Sequence, residues 1–180
     1  MAAPADVTLR SLSGKWALNK SLSGDTEAVL EVQGVNWVTR KAIGSAAVTL
    51  TIKQYTDSET GLTHVDIDQS SSLGAGTQER RVLDWTGREA NNPLFGRVQG
   101  KTRWATLAEL DDDFLKEGFE DGTTEVIHTW TEHLDSGATT QQAWGFEIID
   151  GQRYYVRHVV ARKGDQVARI KMVYDWQGKE

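Results

Sequence analysis

The 180-residue sequence contains no cysteine, which removes disulfides, thiolate metal sites, iron–sulfur clusters and thiol nucleophiles together. Lack of thiols also fits a reducing compartment. No window approaches the roughly 18 apolar residues of a membrane span, and the opening MAAPADVTLR lacks the apolar core of a secretory signal. The expectation is a cytoplasmic protein without a membrane span, in which the sequon Asn19-Lys20-Ser21 is a chance match. Positive charge is scarce too: 20 basic against 26 acidic residues leave a net charge of −6, so nucleic acid would meet no basic stripe. The tight basic pair Arg80-Arg81 reads as a solvated strand edge.

Conventional catalytic patterns are also missing. His64, His128, His133 and His158 show no metal-ligand spacing on a helix, no Gly-x-Ser-x-Gly elbow occurs, and no glycine-rich loop precedes a helix to cradle phosphate. Asp111-Asp112-Asp113 reads as a solvated charge run, because the other ligands of a calcium loop are not in place. Neither a metal nor a cofactor is expected.

What is present is an all-β pattern. Only two prolines and 17 glycines punctuate a series of short alternating segments. Strands are predicted at Leu9–Lys20, from Ala46 onwards, and at about Leu62–Gln69, Gln78–Trp85, Leu94–Leu107, Thr123–Leu134, Thr139–Ile149, Arg153–Arg162 and Gln166–Trp176. Turn-rich separators lie between them, including Leu73-Gly74-Ala75-Gly76 and Asp150-Gly151, the strongest two-residue hairpin signal. The exception is Ala28–Ile43, where Val29, Val32, Val35, Val38 and Ala42 recur at helical spacing. Asp25 or Thr26 caps it, and Gly34-Val35 divides it into two short helices. The segment 108–118 interrupts the strands as a loop, helical turn or lid. One domain is expected over 1–180: an up-and-down antiparallel β-barrel of eight to ten strands, with a helical lid at about 25–43.

Gly14-x-Trp16 in the first strand, and the run from Leu30 to Lys41 with its Gly34-Val35 turn and Thr39-Arg40-Lys41 exit, resemble the lipocalin and fatty-acid-binding-protein superfamily (the calycins). The resemblance implies a barrel that encloses a hydrophobic small molecule. It departs at the C-terminus. In that family a Tyr two residues after an Arg helps hold a fatty-acid carboxylate, whereas Arg169 is followed by Lys171, and Tyr174 falls on the opposite strand face. A narrower resemblance is to small lipocalin-like proteins of filamentous fungi that include cofactor-free pericyclases. Among those are hetero-Diels–Alderases joining a tropolone quinone methide to a terpene alkene, which implies the same class of reaction here.

Seven Trp residues suggest either an aromatic core or a lined pocket. Alternation places Val126, His128, Trp130 and Glu132 on one face of their strand, and Gln142, Trp144, Phe146 and Ile148 on one face of the next. Beyond them Tyr155 pairs with Arg157 on one face and Tyr154 with His158 on the other. The expected ligand lining is Trp16, Trp37, Trp130, Trp144, Phe146 and Tyr155, with Arg157, His128 and Arg169 as catalytic hydrogen-bond donors. A one-residue register slip would invert each face. The main alternative is a non-catalytic carrier of fatty acids or other hydrophobic molecules; a blander one is an interaction module using the barrel exterior. Homo-oligomerisation stays open.

Overall fold

The structure, a computed structural model, describes residues 1–74 and 76–179; Ala75, within a predicted turn, lies outside the described residues. Among the described residues ten strands form one antiparallel sheet. They are β1 (Gly14–Leu18), β2 (Val48–Thr56), β3 (Thr63–Ser71), β4 (Thr77–Val82), β5 (Arg88–Asn92), β6 (Gly96–Thr106), β7 (Glu125–His133), β8 (Thr139–Ile149), β9 (Gln152–Lys163) and β10 (Gln166–Gly178). The order β4-β3-β2-β1-β10-β9-β8-β7-β6-β5 makes the consecutive strands β4 and β5 the two edges of the rolled sheet. Among the described residues the barrel closes past β5 instead: one isolated bridge joins Leu83, just after β4, to Thr102 of β6, and beside it the Trp85 N–H donates to the Thr102 carbonyl at 2.8 Å. Trp85 adopts a left-handed φ of 57°. That turn lays its indole on the outside of the barrel, 4.3 Å from Lys101 and 4.3 Å from Arg103.

One end of the barrel is filled. Trp16 is fully buried against Trp176, Tyr155 and Phe146, with ring centroids 4.7, 5.2 and 6.2 Å away, and its indole N–H donates to the Leu12 carbonyl. Gly14 is required there: at φ 144° a Cβ would stand 2.5 Å from the Trp176 ring. Ala3, Val7, Leu9 and Leu12 of the N-terminal segment complete this cluster. Arg153 pins the segment by donating to the carbonyls of Pro4 and Val7. The predicted first strand therefore shortens to Gly14–Leu18, because residues 1–12 act as a plug instead.

At the other end lie α1 (Glu27–Val32) and α2 (Trp37–Ser45), divided at Gly34 with φ 87°. Helix α1 buries Val29 and Val32 against Val159, Ala161, Ala168 and Ile170 at the barrel mouth. Helix α2 is capped by Asn36, whose side chain accepts from the Thr39 N–H, and buries none of its residues. Asp150 and Gly151 both take positive φ, 50° and 76°, as a two-residue hairpin requires.

The insertion is not a lid over the lumen. Its turn at Leu107–Glu109 and the short α3 (Asp113–Lys116) pack on the barrel exterior, where Leu110 and Leu115 meet Ala105, Val126, Ala143 and Val160. Gly145 allows this approach, since a Cβ there would stand 2.6 Å from the Phe119 ring. Asp112 corrects the reading of its acidic run as solvated: it is buried, caps α3 through the Phe114 N–H, and is paired by Arg162 and Arg169. The predicted Leu94–Leu107 strand begins at Gly96, and β5 (REANN) escaped prediction because it has no apolar alternation.

Candidate functional site

A cavity of about 390 Å³ opens between the unpaired edges of β4 and β5 and reaches inwards to β6, β7 and β8. All of Gln78–Val82 and all of Arg88–Asn92 line it. Side chains on a strand alternate between faces, so only a strand edge can present consecutive residues to one space. Its inner wall is polar: Thr102, Thr131, His133, Thr140 and Gln142, with Gln33 entering from the end of α1. Phe95, Val98 and Ala90 supply an apolar flank. A second cavity of about 330 Å³ lies beneath α2, against Leu18, Ile43, Ile170 and Met172.

The polar wall is organised by hydrogen bonds. Gln33 Nε2 donates to Thr140 Oγ1 at 2.9 Å, and the same hydroxyl is 2.8 Å from His133 Nε2. Burial lowers the His133 pKa below its ordinary value, so the imidazole is neutral at pH 7. On the facing strand Arg81 donates from Nε to Glu79 at 3.1 Å and from Nη1 to Thr102 Oγ1 at 3.2 Å. Behind them Arg157 lies 4.0 Å from the centre of the Trp144 ring and donates from Nε to the Tyr155 hydroxyl at 2.8 Å. The Trp144 indole N–H donates in turn to Gln142 Oε1 at 2.8 Å.

By alternation Glu79, Arg81 and Arg157 all point inwards, so two guanidiniums face one carboxylate. Burial pushes the Glu79 carboxyl up, but Arg81 and Arg157 outweigh it and hold the group below the usual range. Burial likewise opposes the Arg157 charge, yet the Tyr155 oxygen and the Glu79 carboxylate overcome it and raise that pKa. Tyr155 and Tyr174 are pushed up by burial and stay protonated. The enclosed electrostatic balance is therefore positive, inside a chain whose net charge is −6.

The sequence-predicted residues separate into three groups. Trp144, Phe146, Tyr155 and Arg157 face inwards, but none of them lines the cavity: Trp144, Phe146 and Tyr155 join Trp16 in the packed aromatic cluster, and Arg157 is buried behind the wall against Trp144. His128 and Trp130 lie on the outer face, which corrects their placement beside Trp144: Trp130 pairs with Gln141, whereas Trp144 pairs with Ile127. His128 is held there by Arg103, which donates to Nδ1, and by Gln141 at Nε2. Arg169 is likewise outside, fastened to Asp112 of the insertion and unable to reach the lumen. Trp37 sits on α2 with 62% of its surface exposed and lines neither cavity.

Residues that the prediction missed make up the cavity wall. Gln142 shares a strand face with Trp144 in the sequence, and that spacing is the signal that could have found it. Arg81, read as solvated, is only 13% exposed in its side chain. Among the described residues no three His, Asp or Glu side chains gather as a metal site, and no helix is long and apolar enough to cross a membrane.

No protein-family model matches the chain. Full-length relatives do. The chain is 43% identical over 182 residues to the protein named probable pericyclase scpY of Mollisia scopiformis, covering 99% of this chain and 96% of that one. It is 41% identical over 181 residues to pericyclase pydY of an Acremonium species, covering 99% and 98%. The chain belongs to this pericyclase family. Among solved structures, lipid binding protein 8 of Caenorhabditis elegans superposes with a TM-score of 0.62 at 15% identity, covering 96% of this chain and 100% of that one. Fatty-acid-binding protein 1 of Echinococcus granulosus does so with a TM-score of 0.58 at 15% identity, covering 93% and 98%. These two likenesses show the calycin-type barrel expected from Gly14-x-Trp16 and the lid. This member of the pericyclase family thus has that barrel, with ten strands among the described residues. The carboxylate pair of the carriers is not formed on β10 in this member: Lys171 faces outwards to Glu147, and the Tyr174 hydroxyl points to Met172.

Proposed function

We propose that this protein is a pericyclase that closes a ring between an electron-poor, carbonyl-bearing π system and an alkene within the β4–β5 cavity. The observation that carries this reading is full-length relatedness to two proteins named as pericyclases. The site is suited to the chemistry. Two σ bonds form at the expense of two π bonds within the reactants, so the step needs no redox partner and no nucleophile. Holding the reacting carbons in near-attack geometry contributes up to about 7–11 kcal/mol. A donor fixed against the carbonyl oxygen stabilises the electron density that builds on it in the transition state. The polar wall suits the oxygenated partner and the flank of Phe95, Val98 and Ala90 the hydrocarbon. The tropolone quinone methide and terpene alkene expected from the sequence are one such pair.

The test is to incubate purified protein with two substrate sets: a tropolone quinone-methide precursor with a terpene alkene, and a single chain carrying a tethered diene and dienophile. Acceleration of either set with an enriched stereoisomer is the expected result. Rates and isomer ratios equal to a protein-free control in both sets would overturn the reading, and binding without acceleration would make the barrel a carrier.

A further inference from the structure

Gln142 and Arg81 are both anchored on the Trp144 indole, one through its N–H and the other with its guanidinium 5.3 Å from the ring centre. An indole N–H can only donate, so the Gln142 amide must turn its oxygen to Trp144 and its NH2 away. Gln142 lines the cavity, and among the described residues Nε2 has no protein partner. Arg81 is constrained in the same way: Nε serves Glu79 and Nη1 serves Thr102, which among the described residues leaves Nη2 without a partner on a side chain that also lines the cavity. Arg157, 5% exposed with Nη2 buried and unpartnered, adds positive charge behind both.

We propose that Gln142 Nε2 and Arg81 Nη2 form a two-donor cradle for a carbonyl oxygen of the substrate, with Trp144 as the positioning residue that fixes the amide. This rests on the cycloaddition reading and assigns its substrate class: the electron-poor partner enters carbonyl-first, towards Trp144. Oxygen binds there because the site offers donors and excess positive charge. A hydrocarbon gains nothing from either.

Three measurements test the cradle. Gln142→Leu keeps the side-chain size and removes the donor; it should lower kcat by about 10²-fold, as loss of one oxyanion-hole donor does, with a small change in KM. Trp144→Phe keeps a ring in the core behind the wall but frees the amide. It should lower kcat by roughly tenfold and erode the isomer ratio, which a merely structural role would leave intact in the folded fraction. Binding is followed separately from turnover, by tryptophan fluorescence, with tropone and its oxygen-free analogue cycloheptatriene. Wild type should favour tropone by roughly tenfold, equivalent to one hydrogen bond of about 1.4 kcal/mol, and Gln142→Leu should lose the preference. Equal affinity of wild type for the two rings, or an active Gln142→Leu with unchanged kcat, overturns the cradle while leaving the pericyclase reading standing. If wild type accelerates neither substrate set but prefers tropone, the pericyclase reading falls and the carbonyl site remains.

Discussion

The closed end of the barrel and the cavity end are built on the same strands with opposite chemistry. At the closed end Trp16, Trp176, Phe146 and Tyr155 pack against one another in tilted and edge-on pairs, and the N-terminal plug completes their buried cluster. At the cavity end the inward positions of β8 turn polar, running Phe146, Trp144, Gln142, Thr140 from one end to the other, while β9 places Arg157 opposite Trp144 and then returns to Val159 under α1. Trp144 and Arg157 sit at the junction. The difference teaches that stability and recognition are separated along the barrel axis, so that donors left unpaired for a ligand are carried by a rigid aromatic base.

Substitutions at the two ends should therefore separate stability from turnover. The largest stability loss is expected at the closed end: Trp16→Ala should cost about 3–5 kcal/mol, measured by urea unfolding, with activity per folded molecule retained. Asp112→Asn, which leaves Arg162 and Arg169 without their carboxylate and weakens the α3 cap, should cost about 2–3 kcal/mol without touching the cavity. If it abolished turnover in the folded fraction, the insertion would be part of the site.

Glu79→Gln should cost about 1–2 kcal/mol, less than a fully buried pair because the side chain keeps 32% exposure. Its folded-state pKa is lowered from the ordinary value of 4.5. The stability that Glu79 supplies is therefore fully present above that value and is lost as pH falls through the folded-state pKa. Unfolding curves of wild type and Glu79→Gln should converge in acid and diverge towards pH 7; divergence that grows in acid would contradict the pairing. Trp37→Ala should change stability by no more than about 0.5 kcal/mol and leave the isomer ratio unchanged, because that side chain lines neither cavity.

Much of the scaffold was legible. Gly14-x-Trp16 marks a contact that only glycine permits, Gly34 divides the lid helices, and Asp150-Gly151 has the dihedral signs its sequence announces. The site was less legible for a physical reason. The insertion covers the outer face of β7–β9, so both faces of those strands are largely buried, each mixes polar with apolar side chains, and inside cannot be told from outside. Strand β9 is buried at every position from Tyr154 to Ala161, which leaves Arg157 and His158 indistinguishable by pattern. His128 and Trp130 were drawn into the lumen by that ambiguity, and Arg169 by its place near the last hairpin. The cavity itself depends on the missing β4–β5 ladder. Nothing in Arg80-Arg81 or Arg88–Asn92 signals that the two segments are neighbours without hydrogen bonds.

The most direct measurement of whether chemistry belongs to the cavity end is a crystal structure of the protein with a bound cycloadduct. The adduct should lie between β4 and β5, with a carbonyl oxygen within hydrogen-bond distance of Gln142 Nε2 and Arg81. An adduct seated beneath α2 against Ile43, Ile170 and Met172, with Gln142 untouched, would contradict the account.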